Sequence, residues 1–220
     1  EGGVYLITGG TGGLGEIFSS HISKKKDAKL ILVGRRDKTE VKTLTHENVF
    51  YHRCDISQKE EVKTLIKTIL DKYGKLNGII HSAGVVRDSF IQKKSRSEIA
   101  AVFQSKIAGI KNIDESTKEL DLDFMVLFSS VAGVLGNIGQ SDYASANAYL
   151  DNFAAHRQAQ VLSGVRSGRS LSINWSYWLE GGMRLDPETS VYLEQQWGME
   201  GIPTAAGLLA FDLLLKSDVS

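Results

Sequence analysis

Val4-Tyr5-Leu6-Ile7-Thr8-Gly9-Gly10-Thr11-Gly12-Gly13-Leu14-Gly15 carries an apolar, strand-like segment straight into a turn dense in glycine. Only a residue without a side chain lets the backbone turn this tightly and approach a pyrophosphate, whose charge then faces the first amides of the following helix. That helix is predicted over residues 14–25, where Leu14, Ile17, Phe18, His21 and Ile22 recur at helical spacing. Strand, glycine turn and helix therefore follow in the order a dinucleotide site requires. Gly9, Thr11, Gly12, Gly13, Leu14 and Gly15 are its expected cradle, and a turn that binds nothing is the competing reading.

Further along, apolar runs at 30–33, 49–51, 76–81, 124–128 and 171–175 read as strands. Helical patterns cover 60–73, 99–120, 143–162 and 205–215. Strands separated by helix-length segments imply right-handed crossovers and a parallel sheet covered on both faces. The expected fold is α/β: a Rossmann-type doubly wound parallel sheet flanked by helices, in one domain over residues 1–220. A doubly wound sheet often closes with a strand after such a helix, and that strand is expected either to be missing or to lie beyond Ser220 in a longer parent.

Composition narrows the partners. The 26 basic and 26 acidic residues cancel, which disfavours a nucleic-acid surface or an anionic membrane. The single cysteine, Cys54, can form no internal disulfide, fitting a reducing cytoplasm. No zinc spacing is present, and no apolar run approaches the ~20 residues of a membrane helix. The chain reads as soluble, cytoplasmic and metal-free.

Ligands of such sheets lie beyond the carboxyl ends of the strands. The second strand ends at Val33-Gly34-Arg35-Arg36, where a carboxylate would bind a free ribose 2′-hydroxyl and an arginine a 2′-phosphate. Arg35 and Arg36 favour NADP, unless they are solvated residues closing a strand. After the third strand, Asp55 either bonds the adenine amino group, with Ile56 on the ring, or caps the next helix. After the fourth, Ser82, Ala83 and Gly84 are small either to let cofactor pass or to pack helix against strand.

Ser129 and Ser130 end the fifth strand, and Tyr143 and Asn147 share a face of the helix that follows a glycine-containing loop. A serine hydroxyl can hold a carbonyl while a tyrosine donates the proton that a forming alkoxide needs, if positive charge lowers the phenol's pKa from about 10. Lys106, on the preceding long helix, is the candidate for that charge. Singly, these residues read as a strand-end cap, a half-buried anchor and a solvated lysine; their joint occurrence after a dinucleotide turn points to chemistry.

The glycine turn, His81-Ser82-Ala83-Gly84 and Ser130 with Tyr143 resemble the short-chain dehydrogenase/reductase superfamily across nearly the whole chain. Most members carry lysine four residues after the tyrosine, where Asn147 stands here, with lysine upstream as Lys106. This exchange resembles ketoreductase domains of modular polyketide synthases. The segments Phe128-Ser129-Ser130-Val131-Ala132-Gly133, Gly139-Gln140-Ser141-Asp142-Tyr143-Ala144-Ser145-Ala146-Asn147-Ala148 and Asn174-Trp175-Ser176-Tyr177-Trp178 match it as well.

The resemblance implies NADPH-dependent reduction of a β-ketoacyl group on the phosphopantetheine arm of an acyl carrier protein. Tyr143 would donate the proton, Ser130 orient the carbonyl, and Lys106 and Asn147 support the tyrosine and its proton relay. Asp88, Trp178 and Met183 would lie on the substrate side. Val86-Arg87-Asp88 keeps the last aspartate of a Leu-Asp-Asp motif that accompanies a D-hydroxy product, and residues 134–142 lack the tryptophan of the opposite class. Residues 179–198 are expected to form a helical substrate lid hinged at Gly181-Gly182. The family also implies an N-terminal structural half and other synthase domains as neighbours. A free-standing reductase and a non-reducing or epimerising cofactor-binding domain are the alternatives.

Overall fold

In the computed structural model, residues 2–37, 39, 41, 46–182 and 187–217 are described. The strands are β1 (Val4–Thr8), β2 (Lys29–Gly34), β3 (Val49–Arg53), β4 (Gly78–His81), β5 (Phe124–Ser130) and β6 (Arg169–Trp175). They form one parallel sheet in the order β3-β2-β1-β4-β5-β6. This is the expected doubly wound architecture. Its order reverses between β1 and β4, so the crevice beyond Thr8 and His81 is the topological switch point where ligands bind.

Successive strand residues point to opposite faces, and here both faces are apolar because both are covered. Leu6, Ile31, Val33, Ile79, Met125 and Leu127 meet α2 (Lys59–Tyr73), α4 (Gly109–Ser116) and α6 (Ser141–Leu162) through Leu65, Ile66, Ile110, Ile113 and Leu150. Ile7, Leu30, Leu32, Ile80, Val126 and Phe128 meet α1 (Gly13–Ser23) and α8 (Thr204–Lys216). Phe18 of α1 centres this second layer, with ring centroids 4.6 Å from Phe128, 4.8 Å from Phe211 and 5.5 Å from Trp178. Burying such an aromatic is worth roughly 3–5 kcal/mol against alanine.

The helix expected over 99–120 is instead three pieces. Arg96–Phe103 (α3) opens on a capping box between Ser95 and Glu98, Gln104–Ala108 is a π-helical turn, and α4 runs only to Ser116. Lys106 lies within this turn and is buried, four residues after buried Val102 and four before buried Ile110. Thr117 then bonds its hydroxyl to the Ile113 carbonyl at 2.8 Å and the helix stops. Two further departures are local: β4 begins at Gly78 rather than 76, and the loop after β5 contains the short helix α5 (Ala132–Leu135). Residues 179–198 contain α7 (Pro187–Trp197).

The glycine turn is held by backbone proximity. A Cβ at Gly15 would lie 2.2 Å from the Gly9 carbonyl oxygen, and one at Gly9, whose φ is 65°, would lie 2.8 Å from Ala83 Cα. Neither neighbour is a side chain that can swing away. Gly15→Ala is therefore expected to cost about 1–3 kcal/mol of stability, read as a lowered midpoint in thermal or urea unfolding; an unchanged midpoint would contradict the turn geometry.

Candidate active site

A cavity of about 710 Å3 runs across the carboxyl ends of the strands, from Arg35 and Arg36 past the glycine turn to Tyr143. Gly9, Thr11, Gly12, Gly13, Leu14 and Gly15 line it, as do Asp55, Ile56, Ser82, Ala83 and Gly84. The sequence-derived cradle is thus assembled in one groove at the N-terminus of α1, whose first amides are free to meet an anion. Close packing and cavity lining coincide at Ser82-Ala83-Gly84: Ala83 touches the turn, and a Cβ at Gly84 would lie 3.1 Å from Lys106 Cε. Together, the side-chain-free floor, the anion-ready amides and the length of the groove fit a dinucleotide.

Arg35 and Arg36 are both exposed at the mouth, and neither pairs with a carboxylate among the described residues. Asp37, the next residue, turns to Arg53 at 3.3 Å instead. Asp55 accepts the Ser57 amide at 3.0 Å, an Asx-type turn before α2; the helix N-cap is Gln58, so Asp55 is not its cap. Cys54 also lines the groove, but burial, reinforced by Glu61 and Asp55, pushes its thiol up to about 12, which leaves it a poor nucleophile. Among the described residues, no cluster of His, Cys, Asp or Glu could hold a metal, and no helix is long and apolar enough to cross a membrane.

A second cavity, about 540 Å3, shares Leu14, Ser129, Tyr143 and Gly181 with the first. Ser130, Gln140, Leu135, Ile138 and Trp178 line it, and α7 contributes Tyr192, Leu193 and Trp197. Tyr143 therefore stands where a groove of mixed lining meets a more apolar chamber. Trp178 is mostly core, packed on Phe18 and stacked edge-on against Trp175 at 5.0 Å. Asp88 is exposed and lines neither cavity; it reaches the chamber only by accepting the Gln140 side-chain amide at 3.1 Å. Met183 lies outside the described residues, as does Leu185 of the same segment. Gly181 and Gly182 make a close approach: a Cβ at Gly13 would lie 2.1 Å from the Gly181 carbonyl oxygen.

Ser130, Tyr143, Asn147 and Lys106 converge around the junction. Lys106 is buried, donates to the Phe128 carbonyl at 2.9 Å, and sits 5.4 Å from the centre of the Tyr143 ring. Asn147 is fully buried; its side-chain amide donates to the Tyr143 carbonyl at 2.8 Å, while its own side-chain oxygen has no partner among the described residues. The sequence expectation that lysine lowers the tyrosine pKa does not match this geometry. Burial raises it, and hydrogen bonding with Asn147 and Ser130 draws it back only in part. The ammonium is engaged by a main-chain carbonyl, not by the phenol.

Three supporting groups have no role assigned from the sequence, although His81 and Asp142 stand inside the segments that carry the resemblance. His81 lies wholly buried between Thr8 Oγ1 at 2.9 Å and the Lys106 carbonyl at 3.2 Å. A carbonyl only accepts, so Nε2 carries the proton and Nδ1 receives the threonine hydroxyl. Burial first and Lys106 second push the His81 pKa down to about 3, keeping the ring neutral. Asp151, one turn after Asn147, is bonded by Ser172 at 2.6 Å and Asn174 at 3.1 Å, and its charge acts on Lys106. The third group is an ion pair between Lys94 and Asp142 at 2.8 Å, with both side chains buried.

A family model described as "KR domain" matches residues 3–180. Polyketide synthase PksL of Bacillus subtilis is 44% identical over 216 residues, covering 94% of this chain and 5% of that protein. A ketoreductase domain from the bacillaene assembly line superposes with a TM-score of 0.89 at 41% identity, over 95% of this chain and 52% of that one. An N-terminal ketoreductase from the macrolactin assembly line gives 0.85 at 40% identity, over 99% and 43%. The chain thus spans about 5% of the curated relative's length and about half of the solved ones.

Burial lowers the Lys106 pKa from 10.5 to about 8, against the opposing pull of Asp151. Between those two values the unfolded chain binds more protons, so stability rises with pH; below about 8 the buried charge costs its full penalty. Relative to Lys106→Met, the wild type is expected to gain about 3 kcal/mol over that window, read from urea unfolding at stepped pH. Parallel curves would contradict the burial of a titrating ammonium.

Proposed function

The chain belongs to the ketoreductase (KR) domains of polyketide synthases, and from that membership we propose NADPH-dependent reduction of a β-ketoacyl thioester to a D-β-hydroxyacyl thioester. The substrate would ride on the phosphopantetheine arm of an acyl carrier protein, with the other domains of a synthase as neighbours. The observation that carries this reading is the position of Tyr143, at the one wall common to a dinucleotide-shaped groove and an apolar chamber. Reduced nicotinamide in the groove supplies a hydride.

The chain's own residues supply the rest. Ser130, at the end of β5, donates to the substrate carbonyl oxygen and fixes its direction. Tyr143 gives that oxygen its proton as it turns into alkoxide. A phenol held above its ordinary pKa by burial keeps its proton until so strong a base appears, and the transfer then runs downhill. Lys106 stabilises the phenolate left behind: with a pKa of about 8 it is still mainly cationic at neutral pH, and in a dry site its charge acts strongly. The unpartnered side-chain oxygen of Asn147 is a ready acceptor for a proton-carrying water. Leu135, Ile138, Tyr192, Leu193 and Trp197 form an apolar wall for the acyl chain, with α7 as the covering element.

The guanidinium groups of Arg35 and Arg36, neither of which pairs with a carboxylate among the described residues, support NADPH over NADH, since a 2′-phosphate would find two cations there. Asp88 supports the D-hydroxy product through its bond to Gln140 in the chamber wall.

The test is NADPH oxidation with trans-decalone or a diketide thioester, using the full-length protein, with chiral analysis of the product. Tyr143→Phe is expected to lower turnover by about 10²–10⁴ with NADPH affinity retained; turnover that survives the substitution, or an L-hydroxy product, would overturn the corresponding part of the reading. Replacing Arg35 and Arg36 by alanine should weaken NADPH binding by roughly 1.5–3 kcal/mol per charged hydrogen bond lost and leave NADH binding nearly unchanged, as measured by fluorescence titration. Equal losses for both cofactors would remove the case for NADPH.

A further inference from the structure

Lys94 and Asp142 form an ion pair buried at both ends, with side-chain exposures of 0% and 2%. No step of the proposed reaction uses either residue. A charge withdrawn from water is tolerated where it is paired and hydrogen-bonded, and removing one partner strands the other; Asp142 Oδ2 has no partner among the described residues, so its engagement is through Oδ1. Here the engagement is specific. Asp142 Oδ1 takes Lys94 Nζ at 2.8 Å and the backbone amide of Tyr143 at 2.9 Å. Lys94 also donates to the carbonyl of Arg87. One carboxylate thus ties the tyrosine's own amide to a lysine that closes the loop 87–94 upon itself.

Two more links join the same two segments: the Ser89 amide donates to the Gly139 carbonyl at 3.0 Å, and Gln140 donates to Asp88 at 3.1 Å. Those links are partly exposed, and exposed hydrogen bonds hold little on their own. The buried pair is the strong member of the set.

We propose that Lys94 and Asp142 are positioning residues: their ion pair clamps the 87–94 loop to the first turn of α6 and so sets how the substrate carbonyl meets Tyr143. The route is short. Gln140, held by Asp88 on one side and by Asn137 at 3.0 Å on the other, forms the chamber wall three residues before Tyr143. Releasing the loop frees Asp88, then Gln140, and with it the wall against which the acyl chain lies. Lys94, Asp142, Asp88, Asn137 and Gln140 do not line the cofactor groove.

The inference rests on the reductase reading, and its test separates the two. Lys94→Met, Asp142→Asn and the double variant are compared in the full-length protein. Asp142→Asn keeps an acceptor for the Tyr143 amide while removing the charge. Each single variant is expected to lower kcat by between about ten- and a hundredfold through misplacement of the carbonyl, to blur the hydroxyl stereochemistry of the product, and to leave the Kd for NADPH unchanged. Because the two residues act as one unit, the double variant should lose no more than the worse single one. Unchanged kcat and product configuration in folded single variants, or losses that multiply in the double, would overturn the proposal. Hydrogen exchange provides a readout independent of turnover: amides of 87–94 and 139–143 should exchange faster in Lys94→Met, while those of β1 and α2 stay as they were. Unaltered exchange in both segments would equally overturn it. A wild-type protein that reduces no β-ketoacyl thioester would instead sink the reductase reading, with the exchange result still deciding the clamp.

Discussion

Backbone meets backbone at the centre of this molecule, at distances no side chain could survive. Gly15 lies against the Gly9 carbonyl, Gly9 against Ala83, and Gly13 against the Gly181 carbonyl. Through these approaches the exits of β1 and β4 and the segment after β6 share one small volume, and the groove, the chamber and Tyr143 are arranged around it. A floor without side chains leaves amides as the first groups a ligand meets. Steric absence and electrostatic readiness are thus the same structural fact.

Above that floor, the site is organised by charges kept away from water. Lys106 arrives through a π-helical turn that departs from regular geometry, and its main chain is steadied by a neutral His81. The irregular turn carries the cation whose ammonium lies 5.4 Å from the centre of the Tyr143 ring, and π-helical turns inside helices are commonly found at functional sites. Lys94 and Asp142 engage the backbone amide of Tyr143, where Lys106 faces its ring. Further out, buried Arg157 spans Asp114, Gly168, Ser167 and Ser170, tying α4, α6 and the entry to β6 together. Arg157 is engaged at each of its nitrogens, the condition under which burial of a charge is tolerable, whereas Asp142 keeps one carboxylate oxygen without a partner among the described residues.

The two cavities differ in chemistry as their proposed occupants do. The groove is floored by glycines and flanked by exposed arginines, suiting a rigid, anionic dinucleotide. The chamber is walled by leucine, isoleucine and aromatic side chains from α5, the loop after it, α7 and the segment after β6, suiting an acyl chain recognised by burial more than by hydrogen bonds. Tyr143 belongs to both, which is why a single helix face can serve cofactor and substrate at once.

The amino-acid sequence by itself determined the sheet, the helices that cover it and the residues of the glycine turn, because apolar period and glycine placement are local properties written along the chain. It also supplied Ser130, Tyr143, Asn147 and Lys106 as a set. What it could not reach was orientation across long separations. That the Lys106 ammonium ends buried on the Phe128 carbonyl is a contact across 22 residues, which the apolar pattern of one helix does not record. That Asp88 touches Gln140 rather than the chamber, that Asp37 turns to Arg53, and that Lys94 finds Asp142 are pairings over tens of residues, with no periodic trace. The pKa of Tyr143 follows the same division: the residue type is local, but burial raises the value, and burial exists only once the chain has packed.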